Sequence, residues 1–166
     1  MPFNNLAIGT SCDVHRFKKG APLFLGGVRI PSDRGMEAHS DGDVLMHAIL
    51  DAVLSAADLD DLGTIFPDTD AKNKGRSSVD MAHEVSRRLK VAGTRILSID
   101  AVILAETPRI APIRHQLRES IAAALEIELR QVNVKGKTFE RMGPIGRQEG
   151  LEARAVALVE RGPVSG

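Results

Sequence analysis

The sequence predicts an α+β (mixed α/β) fold, with helices packed on one face of a four- to five-stranded mixed sheet, in a single domain over residues 1–166. Three observations carry this. Segments of period two and segments of period near 3.6 follow one another in the order β-β-α-α-β-α-β-β. The 166 residues suffice for one core, and 43% apolar with 27% charged content is ordinary for a globular protein. No internal repeat or low-complexity linker divides the chain.

Taken in order, "NNLAIGTSCDVHRF" reads as a first strand ending near His15. "APLFLGGVRIP" reads as a second, interrupted at Gly26-Gly27, a signal for a bulge or a close approach. The first helix is expected from about Asp41 to Ala57, with Ser40 as N-cap. Its residues Val44, Leu45, Ala48, Ile49, Ala52, Val53 and Ala56 are apolar over most of the surface, which predicts a buried helix. Asp43, His47 and Asp51 are spaced four apart and stack on one face, so this polar stripe meets either a strip of solvent or a pocket.

The polar segment "DLDDLGTIFPDTDAKNKGR" follows, a long connection of the kind that often carries function. "SSVDMAHEVSRRLKVAG" predicts a second helix, with capping-box spacing at Ser77 and Asp80, a core stripe of Ala82, Val85 and Leu89, and Gly93 as terminator. "RILSIDAVILAE" reads as a central strand. Pro112 marks the start of a third helix carrying Ile113, Leu117, Ile121 and Ala124. "QVNVKGKTF" and the alternating "LEARAVALVE" supply the last two strands. His83 and His115 fall within the second and third helical patterns and read as surface residues.

Composition narrows the function. The formal net charge is zero, and there is no Trp and no Tyr, which argues against nucleic-acid partners and base-stacking platforms. No run is long enough to span a membrane, and the N-terminus has no signal-peptide pattern. The one cysteine, Cys12, excludes a disulfide within the chain, fits a reducing cytoplasmic location, and reads as a small buried hydrophobe near a strand end.

Chemistry gathers in the first third of the chain. Asp13 and His15 are two apart and share one face of a strand. With His47 from the helix they make two imidazoles and one carboxylate, a set that leaves a fourth tetrahedral position open, as in catalytic zinc sites. Asp43 and Asp51, one turn either side of His47, are candidates to orient that ring. His39 and Ser40 precede the helix, whose N-terminus favours a phosphate. Farther on, Lys135, Lys137 and Thr138 suit a phosphate and Glu140 a hard cation such as Mg²⁺. Two nucleotide motifs fail. A P-loop ending in "GKT" would need glycine where Gln131 stands, and "GPIGRQEG" is no dinucleotide fingerprint. On the residues alone, a zinc phosphohydrolase and a zinc-stabilised assembly module stay open as rivals, although a three-residue set that includes an Asp speaks against a closed structural site.

"DVHRF", "LGGVRIP", "AHSDGDVLMHA", "FPDTD" and "KTFERMG" occur in an order and spacing that resemble the 2-C-methyl-D-erythritol 2,4-cyclodiphosphate synthase family, from Ile8 to about Val159. The resemblance implies metal-dependent cyclisation of 4-diphosphocytidyl-2-C-methyl-D-erythritol 2-phosphate with release of CMP, in non-mevalonate isoprenoid biosynthesis. It implies Zn²⁺ on Asp13, His15 and His47, and Mg²⁺ or Mn²⁺ on Glu140. It places substrate contacts on His39 and Ser40, the methylerythritol phosphate on Asp61, Gly63 and Asp68, and the diphosphate near Lys137, Thr138 and Glu140. The cytidine pocket falls on Ala105 and on Arg109, Ile110 and Ala111 of "PRIAP". His39, Thr138 and Glu140 stand closest to the chemistry, and Arg147 lies in a loop that lines the family's trimer axis. A homotrimer with active sites between subunits is expected. The chain departs from the family pattern at Ser77, where Asp is usual, and at Pro144, Ile145 and Gln148.

Overall fold

The computed structural model describes residues 5–162. Its elements are β1 (Leu6–Lys19), β2 (Leu23–Leu25), β3 (Val28–Ile30), β4 (Arg34–Met36), α1 (Val44–Ala57), α2 (Leu62–Ile65), α3 (Ser78–Val91), β5 (Arg95–Leu104), α4 (Arg114–Leu125), β6 (Val132–Lys137), α5 (Gly143–Gly146) and β7 (Gly150–Glu160). Five strands form a mixed sheet in the order β4-β1-β7-β5-β6. All its pairings are antiparallel except β5 with β6, which α4 connects as a crossover.

The alternation of β7 explains how the helices attach. Leu151, Ala153, Ala155, Ala157 and Val159 are buried and face α1, while Arg154 and Val156 point the other way. The inner side chains are mostly small, and so are Ala48, Ala52 and Ala56 on α1, so the helix rides close to the sheet. Gly9 on β1 sets the closest approach: a Cβ there would stand 2.0 Å from the Ala52 carbonyl oxygen and 2.5 Å from the Ala56 nitrogen. α3 packs on α1 and α4, and α4 covers β6. The opposite face of the sheet is open and partly apolar, with Ile8 68%, Val14 60% and Val156 45% exposed. Among the described residues no helix is long and apolar enough to cross a membrane.

Several expectations need correction. β1 runs on past His15 to Lys19 because β7 and then β4 supply ladder partners, Arg16 to Gly150 and Phe17 to Met36. Asn4, the first residue of the predicted strand, lies outside the described residues, as does most of the N-terminal stretch read for a signal peptide. "APLFLGGVRIP" is no single strand but a hairpin, with Leu25 opposite Val28 and Gly26 and Gly27 at φ of 56° and 80°. Two consecutive positive φ values suit the tight turn that Gly-Gly favours. Cys12 is exposed on the open face of β1, because strand alternation gives the inward positions to Ser11 and Asp13.

α1 starts at Val44, and its N-cap is Asp43 in place of Ser40. The Asp43 carboxylate accepts from Met46 N at 2.9 Å, and also from Gly26 N at 2.8 Å and Gly27 N at 2.5 Å. One buried side chain thus closes the helix and holds the hairpin turn. For α3 the Ser77 hydroxyl is the cap, accepting from Val79 N at 3.2 Å, a single bond in place of the capping box that the Ser77–Asp80 spacing suggests.

Candidate active site

Asp13 and His15 come from the inward face of β1, and His47 comes from the first turn of α1, which lies across that strand. The close packing at Gly9 brings the two elements near enough for the side chains to meet. Asp13 Oδ2 is 3.5 Å from His15 Nε2 and 3.2 Å from His47 Nδ1. The two rings stand edge to face, 5.6 Å apart and inclined by 78°. Ligands around a tetrahedral zinc, each at about 2.0–2.1 Å, lie about 3.3 Å from one another. These three residues therefore form a group that can hold a metal ion, the one such group found among the described residues.

Hydrogen bonds set the ring orientations. His15 Nδ1 donates to the Val14 carbonyl at 2.8 Å, which leaves Nε2 as the lone-pair nitrogen. That Nε2 is buried and has no hydrogen-bond partner among the described residues. A buried acceptor beside a carboxylate suits a cation. Burial pushes Asp13 up, but the hydrogen bond from His47, the charges of both imidazoles and the Val14 N–H outweigh it and hold its carboxyl below the usual value. Burial pulls His47 down, yet the hydrogen bond and charge of Asp13, with Asp43 and Asp41 beyond, leave it raised. Asp13 is thus held as an anion between the two imidazoles.

A cleft of about 440 Å³ opens over this group. His39, Ser40, Asp51, Gly63 and Asp68 line it with the three candidate ligands. Glu37, Ala38, Leu62, Phe66 and Met81, which sequence reasoning did not single out, complete it. Among the described residues, the carboxylates of Asp43 and Asp51 make no hydrogen bond to the His47 ring. Asp43 is occupied by the hairpin, and Asp51 accepts from Leu62 N at 2.8 Å, fixing the start of α2. Burial raises Asp51, partly offset by the Leu62 N–H. Behind His47 stand two residues the sequence reading missed. Ser78 Oγ is 3.1 Å from His47 Nε2, and it also donates to Asp41 Oδ1.

Asp61 lies apart from this cleft. It caps α2, accepting from Thr64 N at 2.7 Å, and that bond lowers its carboxyl. It lines a neighbouring depression with Asp51, Thr10 and Ser11. Ala105, Arg109, Ile110, Ala111, Lys137, Thr138 and Glu140 form a second group at the C-terminal ends of β5 and β6. There Ala105 N donates to the Lys137 carbonyl at 2.9 Å, and Ile110 packs against Gly136. Thr138 Oγ1 donates to Glu140 Oε1 at 2.7 Å. Both groups sit at the same end of the sheet, but β1 and β6 are three strand steps apart, about 14 Å at the usual spacing. Arg147 is exposed and paired with Glu149 at 2.7 Å. A larger cleft, of about 830 Å³, lies at the other end of β5 and is lined by no histidine.

Comparison with known proteins agrees with this arrangement. A model of the YgbB family matches residues 6–160. The 2-C-methyl-D-erythritol 2,4-cyclodiphosphate synthase of Laribacter hongkongensis is 48% identical over 156 residues, covering 94% of this chain and 96% of the relative. Among solved structures, the bifunctional IspDF from Campylobacter jejuni superposes with a TM-score of 0.90 at 35% identity, over 95% of this chain and 42% of that one. The IspF CDP complex of Plasmodium falciparum superposes with a TM-score of 0.84 at 31% identity, over 96% and 99%. The match runs through both strands and helices that carry the candidate site, and on it the chain belongs to the YgbB family, together with the 2-C-methyl-D-erythritol 2,4-cyclodiphosphate synthases.

Proposed function

We propose that this chain is a phosphorus–oxygen lyase that cyclises 4-diphosphocytidyl-2-C-methyl-D-erythritol 2-phosphate to 2-C-methyl-D-erythritol 2,4-cyclodiphosphate, releasing CMP, in the non-mevalonate route to isoprenoid precursors. The observation that carries this is the Asp13–His15–His47 group at the base of a cleft in a chain of this family. The CDP held by a solved relative supports a cytidine-diphosphate-linked substrate.

In the reaction an oxygen of the 2-phosphate attacks the β-phosphorus. The new O–P bond closes an eight-membered ring, the bond from the β-phosphorus to the bridging oxygen breaks, and CMP leaves with the electron pair. The nucleophile is already an anion, so the protein's task is to bring repelling phosphates together and stabilise spreading charge. Zn²⁺ on Asp13, His15 and His47, and Mg²⁺ or Mn²⁺ on Glu140, would supply Lewis acidity and charge neutralisation. His39 and Ser40 contact the substrate at the mouth of the cleft, and Gly63, Asp68 and the nearby Asp61 hold the methylerythritol phosphate. Lys137 and Thr138 orient the diphosphate, Ala105 and Arg109 to Ala111 receive the cytosine, and Arg147 lies at the border of the assembly.

The metal group and the Glu140 group lie about 14 Å apart in one chain at the usual strand spacing, whereas both cations would have to reach one diphosphate. A homotrimer, in which the nucleotide group of one subunit faces the metal group of its neighbour, removes that difficulty. The exposed apolar residues Ile8, Val14 and Val156 give such an assembly a surface to bury. The single cysteine is consistent with a cytoplasmic protein.

The test is an assay of purified protein with the cytidyl diphosphate substrate, zinc and Mg²⁺. CMP by chromatography, with two coupled cyclic phosphorus signals by NMR, is the expected result. Open-chain phosphates would make the protein a zinc phosphohydrolase instead. His47→Ala is expected to abolish turnover and leave the protein folded; unfolding on metal removal would favour a structural metal.

A further inference from the structure

We propose that Ser78, backed by Asp41, is the positioning residue that fixes the His47 ring and presents its Nδ1 as a metal-binding lone pair; this rests on the metal reading above. Ser78 is fully buried at the first position of α3. Its Oγ is 3.1 Å from His47 Nε2 and donates to Asp41 Oδ1, while its backbone N–H donates to Asp41 Oδ2 at 2.7 Å. The second hydroxyl nearby, Ser40 Oγ, is farther from Nε2 at 3.4 Å and accepts from Gly42 N at 3.2 Å.

The direction of these bonds keeps a proton on Nε2. A carboxylate can only accept, so the Ser78 hydroxyl proton goes to Asp41. Ser78 Oγ then faces the imidazole with lone pairs and must accept. Nε2–H is therefore the ring's donor toward Ser78, while Nδ1 faces Asp13 Oδ2 at 3.2 Å, also an acceptor, so the Nδ1 proton is the one a cation would displace. His15 holds its own proton away from Asp13 by another route, its Nδ1 donating to a backbone carbonyl. With the His47 Nδ1 proton displaced, both rings would turn a bare nitrogen toward Asp13. The Asp41–Ser78 pair also ties the start of α3 to the segment before α1, so one contact serves the ring and the junction of two helices.

The experiment measures zinc affinity of the full chain by competition with a chromogenic chelator, and the visible absorption of the Co²⁺-loaded protein. Wild type, Ser78→Ala, Ser78→Thr and Asp41→Asn are compared, with thermal unfolding of the metal-free proteins as control. Ser78→Ala is expected to weaken zinc binding by about 10- to 100-fold and to alter the cobalt spectrum, the usual size of effect for a residue behind a ligand. Ser78→Thr keeps the hydroxyl and is expected to restore most of the affinity. Wild-type affinity and spectrum in a folded Ser78→Ala overturn the proposal and leave the metal reading standing. Should Ser78→Ala not fold, Asp41→Asn decides: weakened binding supports the relay, unchanged binding overturns it. A wild type that binds no zinc overturns the metal reading and the proposal together.

Discussion

Asp13 Oδ2 stands 3.2 Å from His47 Nδ1, joining β1 to α1 across 34 positions of sequence. In the metal-free protein this contact makes stability depend on pH in a definable way. Asp13 is held below the ordinary carboxylate value of 3.8, so its contribution is present above that pH and is lost as pH falls through the depressed value. His47 is raised above 6.5, so its contribution is present below that pH and is lost as pH rises through the raised value. Chelator-treated wild type is therefore expected to exceed Asp13→Asn in stability most between about pH 4 and pH 6.5. Urea unfolding of both proteins across pH 3 to 9 measures this; an advantage that keeps growing above pH 8 would sink it.

Asp43 was a candidate to orient His47, yet its carboxylate serves Gly26, Gly27 and Met46. Asp43→Ala strands these donors in a buried place and is expected to cost about 3 kcal/mol or more. Asp43→Asn keeps an acceptor and is expected to cost less. Zinc affinity of a folded Asp43→Asn should match wild type, measured by the same chelator competition. A large loss of affinity without loss of stability would return Asp43 to the metal site.

Gly9 is about packing, but its effect reaches the site. Gly9→Ala puts a methyl into the α1 backbone, and overpacking of this kind costs about 1–3 kcal/mol or more. The only relief is for α1 to move off β1, which separates His47 from Asp13. Both the urea midpoint and the zinc affinity are expected to drop. A stable Gly9→Ala protein with unchanged affinity would show that the helix can slide without disturbing the metal group.

If active sites form between subunits, damage to the two halves should complement. Asp13→Asn removes a metal ligand and Glu140→Gln removes the second cation's carboxylate. Each alone is expected to be inactive. Unfolded together and reassembled in equal amounts, they should recover about one quarter of wild-type turnover, since each interface draws one member from each of two subunits at random. No recovery, with mixed trimers confirmed by native mass spectrometry, would put both groups within one chain.

Much of this architecture is written in local periodicity. The apolar α1 and the alternation in β7 announced themselves because burial of a face forces period 3.6 or period two. β4 did not, since Arg34–Met36 is a strand only through pairing with Phe17–Lys19. The β2–β3 hairpin carries a visible Gly-Gly signal, but a bulge, a close approach and a tight turn share that signal. At the site, residue type and spacing drew attention to Asp13, His15 and His47, which the fold brings together. Ser78 and Asp41 escaped notice because their relation to His47 exists only after α3 docks beside α1. Asp43 misled because a spacing of four looks the same for a cap as for a residue inside the helix.

β1 supplies Asp13 and His15, and its main partner is β7, the last strand of the fold, with Leu6 opposite Glu160. A ribosome adding about 5–20 residues per second therefore needs on the order of ten seconds between making the first half of that ladder and making the second. Through that interval β1 has only the short β4 to pair with, and α1 has only part of its floor. Such late, long-range pairing predicts slow folding for the size of the chain. It also means that a nascent chain shortened before β7 exposes the side of α1 that β7 would cover.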